Sequence, residues 1–255
     1  MQFDTGGEDP LARAATLAIL RERLRAPVPQ GAVAGSLAFG IADIDDRLPV
    51  TGLALGGLHE IAPESEGAEA AALGFTLALV ARHLASAKGE ALLVIARGHP
   101  TPYGHGLADL GLDPGRLLLF EVESDTEVYR AIEEALRSDG LAAIAGLVDA
   151  GLPLKQSRRL HLAAERTSLL LLVLRPPGAD QANAAATRWR IDTAEAARDR
   201  FGCIERACWR VELDRCRNGR TGHWLLEWDH AAHRFDLAGA LAGHAAAAGG
   251  GHAAG

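Results

Sequence analysis

The chain has 255 residues, 48% of them hydrophobic and 5% aromatic, with a formal net charge of −7. That length holds one large domain or two small ones, with ample material for a buried core. No run of 18 uninterrupted apolar residues occurs, which excludes a membrane-spanning helix, and Met1–Asp9 lacks the basic start and apolar core of a signal peptide.

The first ten residues are polar. Leu11–Arg25 reads as a helix, with Leu17, Leu20 and Leu24 at helical spacing and Pro27 ending it. Pro27–Gly35 is a linker of Pro, Gly and small residues.

The rest of the chain is organised around Gly52–Glu69. A short apolar strand, Leu58–Ile61, enters a small-residue turn, and an apolar helix runs from Glu69 to about Leu84. This is the strand–loop–helix setting of a phosphate loop, which needs a glycine at each end, then Lys for phosphate and Ser/Thr for Mg²⁺. Here the glycine positions hold Ala62 and Gly67, the lysine position Ala68 and the hydroxyl position Glu69. A carboxylate at a helix N-terminus sits where the positive dipole end welcomes an anion. Glu69 is therefore expected to fill the phosphate site with its own charge, with Glu64 and Glu66 adding to the repulsion of a triphosphate. An ordinary strand-to-helix turn with a helix-starting Glu is the plainer reading of the same residues.

Further strands are expected at Ala91–Ala96, Arg116–Val122, Leu141–Val148 and Ser168–Leu174, each apolar throughout. Helices fall between them: a short one ending near Gly111, then Glu127–Arg137 and Leu154–Arg166. This alternation predicts an α/β fold with a mostly parallel sheet covered on both faces. Asp149, closing the third of these strands, is expected to cap the next helix or its turn. Cys208–Leu213 and His223–Asp229 form a β-hairpin about Arg217-Asn218-Gly219-Arg220, since Asn-Gly is a strong turn signal. The final stretch, 238–255, is almost wholly Ala, Gly and His and is expected to be disordered. The expected organisation is thus 1–35 helix and linker, 36–237 core, 238–255 tail.

Cys203, Cys208 and Cys216 lack CxxC spacing, which suggests a reduced cytoplasmic protein without a zinc site. The ten histidines show no metal-ligand spacing either. Charge is uneven: Lys155–Arg220 carries 14 basic and 8 acidic residues. A binding face for nucleic acid or an acidic partner gives such a count, and so do solvated helix faces. Trp189, between Arg188 and Arg190, reads as a base-stacking platform or as a core tryptophan of an alternating strand.

The order of elements resembles a RecA-type core from roughly Leu11 to Leu237. Three segments carry a closer resemblance, to the ImuA family of RecA-like proteins. They are Ser-Arg-Arg-Leu-His-Leu-Ala-Ala-Glu at 157–165, Ala-Ala-Thr-Arg-Trp-Arg-Ile at 185–191 and Leu-Asp-Arg-Cys-Arg-Asn-Gly-Arg at 213–220. The resemblance implies a role in damage-induced translesion synthesis beside the polymerase-like clamp-binding protein ImuB and an error-prone polymerase catalytic subunit, with RecA a further partner. It implies no cofactor and no catalysis, because the lysine and hydroxyl are gone and 91–108 holds no carboxylate for activating water. DNA contact is expected to be weak or indirect, since the segments where RecA has its long DNA-binding loops are short here. Leu17, Leu20, Leu24, Arg158, Arg159, Arg217 and Arg220 are the candidate partner-binding residues. An ATP-dependent recombination mediator and a SulA-like division inhibitor are the alternatives; Ala68 and Glu69 speak against the first.

Overall fold

The computed structural model describes residues 35–196, 201 and 206–238. The expected helix with Leu17, Leu20 and Leu24, the linker before Gly35, Cys203 and the tail after Ala238 lie outside the described residues.

β1 (Ser36–Leu37) and β2 (Leu53–Ala54) pair antiparallel. Between them α1 (Ala42–Asp45) is a single turn, steadied by the Asp45 carboxylate accepting the N–H groups of Phe39 and Gly40. β3 (Leu58–Pro63) and α2 (Glu69–Leu84) come next, then β4 (Glu90–Ala96), α3 (Gly104–Asp109), β5 (Leu117–Val122) and α4 (Asp125–Ala135). β6 (Leu141–Leu147), α5 (Leu154–Ala164) and β7 (Leu170–Leu174) complete the alternating part. β8 (Thr187–Thr193), β9 (Cys208–Cys216), β10 (Gly222–Asp229) and β11 (Arg234–Leu237) end it.

Nine strands form one sheet in the order β11-β10-β9-β8-β3-β7-β6-β4-β5. β8 through β5 run parallel; β9, β10 and β11 are added antiparallel. The α/β class expected from the alternation, and the RecA-like core implied by the resemblance, are therefore the ones observed. Strands β6 and β7 are buried at every residue because helices cover both faces. On one face α2 packs Phe75, Leu79 and their neighbours onto Ile61, Leu172 and Trp189. On the other, α4 and α5 bury Val128, Ile132 and Leu160 against Ile144 and Val173. Gly146 permits that approach: a Cβ there would lie 2.6 Å from Ile132.

Boundaries shift by one to three residues. Helix α4 starts two residues before the expected Glu127 because Ser124 caps it. The Ser124 hydroxyl accepts the Glu127 N–H, while the Glu127 carboxylate accepts that of Glu123. This is a capping-box signal, Ser-Asp-Thr-Glu, that was present in the sequence. Strand β9 runs on to Cys216, three residues past Leu213, pairing with β8 across a register shift at Arg188/Trp189.

Candidate functional site

The loop between β3 and α2 stands where a phosphate cradle belongs, outside the carboxyl ends of the parallel strands. β3 continues to Pro63, so Ala62, at the first glycine position, is buried in the sheet opposite Arg190 of β8. Glu64 N–H donates to the Ile191 carbonyl at 2.8 Å, and Ala68 N–H to that of Ser65 at 3.2 Å. Gly67, at φ 97°, donates its N–H to Glu69 Oε2 at 2.8 Å. A working cradle turns its free N–H groups toward phosphate oxygens. Here residues 64, 67 and 68 spend theirs within the chain, one of them on the chain's own carboxylate. Ala68 is 2% exposed, and Glu69 is exposed at the first position of α2.

Beside this loop lies an apolar cleft of about 540 Å³. Leu73 and Leu77 of α2, Leu107 of α3, Leu110, Leu147 and Leu174 line it, with Pro63, Pro100, Pro102 and Pro176 at its edges. Tyr103, 74% exposed, stands at its mouth. Arg97 and Gly98 come directly after β4, and Arg97 pairs with Glu123 at 2.7 Å and Glu121 at 3.7 Å. Asp149 does not cap the helix after it, contrary to expectation: α5 has no side-chain cap. Its carboxylate instead lies 2.8 Å from His99 Nε2. Its backbone N–H and that of Ala150 are held by Asp125 at 2.8 Å each.

A buried ionic network ties the end of β7 to β3, and sequence reasoning missed it. Glu60 is fully buried; one carboxylate oxygen accepts from Arg175 Nε, the other from Arg188 Nε at 2.9 Å and Asn183 Nδ2 at 2.6 Å. Arg175 Nη2 reaches Asp180 at 2.5 Å, and Arg190 meets Asp180 at 3.1 Å and Asp214 at 3.5 Å. Burial alone would raise the Asp180 carboxyl, but Arg175, Arg190 and Arg188 outweigh it and hold it below the usual range. The signal available was one charged residue inside an apolar strand, Glu60, which demands a buried partner.

No protein-family model matches the chain. It is 36% identical over 229 residues to Protein ImuA of two Caulobacter vibrioides strains, NA1000 / CB15N and CB 15, covering 83% of this chain and 92% of theirs. The chain belongs to the ImuA family.

In this ImuA-family chain Arg217 and Arg220 fall at the opposite end of the sheet, and Arg158 and Arg159 lie on α5. Arg217 and Arg220 are exposed at the β9–β10 turn, beside the start of β8. Arg217 Nη2 donates to the Ala184 carbonyl at 3.2 Å, and Nη1 lies 3.5 Å from His161 Nε2 on α5. Arg220 Nη2 donates to the Asp46 carbonyl at 3.3 Å. Arg158 and Arg159 are exposed on α5, with Arg159 paired to Glu133 at 2.6 Å. The structure thus brings Arg217 to α5, while Arg220 turns toward α1. Among the described residues the basic excess of 155–220 forms no single face, since Arg175 and Arg188 are buried on Glu60 and Arg210 is paired with Asp192. Trp189, Trp224 and Trp228 are all buried in the core.

His59 lies fully buried near the start of β3, opposite Thr187 at the start of β8. The Ala54 carbonyl can only accept, so His59 Nε2 donates to it at 2.9 Å. Nδ1 then accepts from the Thr187 hydroxyl at 2.8 Å, which in turn accepts from Trp189 Nε1. Burial pushes the imidazole pKa down to about 4. The unfolded chain, with an ordinary histidine, takes up that proton first. Stability is therefore full above about pH 6.5 and falls as pH drops toward 4. Between pH 7.5 and pH 5 the expected loss from His59 is about 2 kcal/mol. Urea unfolding at both values checks it, and a His59→Gln variant is expected to show a shallower slope than wild type.

Proposed function

We propose that this chain is a non-catalytic RecA-like accessory protein of error-prone translesion DNA synthesis. It assembles or regulates a polymerase complex through protein–protein contacts. One observation carries the non-catalytic part: the phosphate cradle is closed by its own groups, with Glu69 on the Gly67 N–H and the N–H groups of residues 64 and 68 bonded to backbone carbonyls. A fold that keeps its core and abandons its ligand chemistry retains its surfaces as the working part. ImuA-family membership supports the setting, damage-induced mutagenesis with ImuB and an error-prone polymerase catalytic subunit, with RecA a further candidate.

The docking face in this reading is Arg217 with Arg158 and Arg159. Exposed forked guanidinium groups suit carboxylates of a partner, which they engage by paired charge-assisted hydrogen bonds. If Arg217 is a binding hot spot, Arg217→Ala costs about 2 kcal/mol, roughly thirty-fold in affinity for ImuB. The measurement is a titration of purified ImuB against wild type, Arg217→Ala and an Arg158→Ala/Arg159→Ala double variant, each confirmed folded by circular dichroism. Unchanged affinity in both variants would place the interface elsewhere. Absence of any ImuB binding by wild type would overturn the adaptor reading itself.

A further inference from the structure

Helices α4 and α5 lie side by side on one face of the sheet, joined by the Arg159–Glu133 ion pair at 2.6 Å. Beside that pair they leave a shallow groove of about 280 Å³. Glu133 and Arg137 line it from the α4 side, and Arg159, Leu162, Ala163 and Arg166 from the α5 side. Three arginines thus stand against one carboxylate, which Arg159 already engages. Arg137 pairs with Glu134 at 3.3 Å on an exposed surface, where such a pair is weak. Arg166 makes no ion pair among the described residues.

Between these cations the groove is aliphatic. Leu162 is 61% exposed, and Ala163 is partly buried beside it. Leu154, 43% exposed, and Arg158 continue the Leu162 stripe at four-residue spacing along the outer face of α5. The two leucines stand about 12 Å apart along the helix. Apolar residues seven or eight apart on a facing helix reproduce that spacing. A phosphate backbone would satisfy the arginines and leave the leucines unmatched. A polypeptide that carries both carboxylates and aliphatic side chains satisfies both.

We propose that the α4–α5 groove docks an acidic amphipathic segment of a protein partner. The segment sets an aliphatic side chain on Leu162 and Ala163 and its carboxylates on Arg137, Arg159 and Arg166. This deepens the adaptor reading and rests on it for the choice of a protein as occupant. It adds a surface on the α4 side of α5 to the one at Arg217.

The probe is a synthetic acidic helical peptide with two leucines spaced to match, titrated with full-length protein by fluorescence anisotropy. Wild type is expected to bind it saturably, with affinity falling at least about tenfold between about 50 and about 300 mM salt. Peptides with glutamine for each carboxylate, or alanine for each leucine, are expected to bind at least about tenfold more weakly. R137E/R166E and Leu162→Ser are expected to show a comparable loss toward the parent peptide. All three positions are exposed, so both variants are expected to fold, which near-ultraviolet circular dichroism checks. No saturable binding by wild type, or binding that either variant leaves unchanged, overturns the proposal. A single-stranded oligonucleotide that displaces the peptide and binds Leu162→Ser as well as wild type also overturns it, because phosphates would then be the ligand. Wild type that takes the peptide but not ImuB supports the groove and sinks the adaptor reading; ImuB binding without peptide binding does the reverse.

Discussion

Replacing Glu60 with alanine is expected to lower the unfolding free energy by about 3–5 kcal/mol, among the largest single effects in this protein. Two arginines, one fully buried and one nearly so, and a buried asparagine converge on that carboxylate. Removing it strands the Arg175 and Arg188 charges without their main counter-ion in a poorly solvated site. Asp180, 40% exposed in its side chain, retains part of the pairing but cannot replace Glu60. Urea unfolding followed by circular dichroism measures the loss. A double-mutant cycle with Arg175→Met separates the pair from the stranded charge: the double variant is expected to be more stable than Glu60→Ala alone. A loss under about 1 kcal/mol would mean the site is hydrated and the pairing weak. Because Arg175 and Pro176 also line the cleft, the same variant is expected to loosen the 175–186 segment in hydrogen exchange.

Trp189→Ala is expected to cost a further large amount, about 3–5 kcal/mol, for loss of a fully buried aromatic. Its ring centroid lies 5.3 Å from that of Phe39 and 6.4 Å from those of Phe75 and Trp224. It also donates to Thr187, which orients His59, so the deletion disturbs a polar chain as well as a cluster. This outcome separates the two sequence readings of the residue. A base-stacking tryptophan would leave stability nearly unchanged and weaken single-stranded DNA binding. A core tryptophan does the reverse, and thermal melts beside a fluorescence titration with oligonucleotide distinguish them.

The fold was legible because its central strands are apolar without alternation. Leu141–Leu147 and Leu170–Leu174 can only be covered on both faces, and helices between them make the sheet parallel. The bounds of α2, Glu69–Leu84, were set by where the small-residue turn ends. The expectation of a degenerate cradle rests on an equally local signal: the absent lysine and hydroxyl are visible at fixed positions. Less legible was anything set by contacts distant in sequence. Glu60 meets Arg175, Asn183 and Arg188 only once β3 lies between β7 and β8, an order no local spacing reveals. The basic excess after Lys155 left a binding face and solvated helix faces equally open, because charge counting ignores which arginines are spent inside. Asp149 looked like a helix cap from its place in the chain, but Asp125 and His99 are what it meets. Arg217 and Arg220 are exposed at the turn as its geometry implied, yet each also donates to a carbonyl of its own chain.

The protein has a RecA-like fold, and the proposed reading is that its nucleotide end is converted into closed backbone and apolar surface. Loop, cleft and network are contiguous through Arg175 and Pro176, so in that reading the whole sheet edge is involved rather than two substitutions. The most direct test of that account is isothermal calorimetry of full-length protein with Mg-ATP. Loss of the phosphate-binding lysine and addition of a carboxylate each weigh on the order of several kcal/mol against binding. Since micromolar affinity corresponds to about −8 kcal/mol, that leaves no binding up to about 1 mM nucleotide. A flat titration is the predicted result; saturable heat with a micromolar dissociation constant would contradict it.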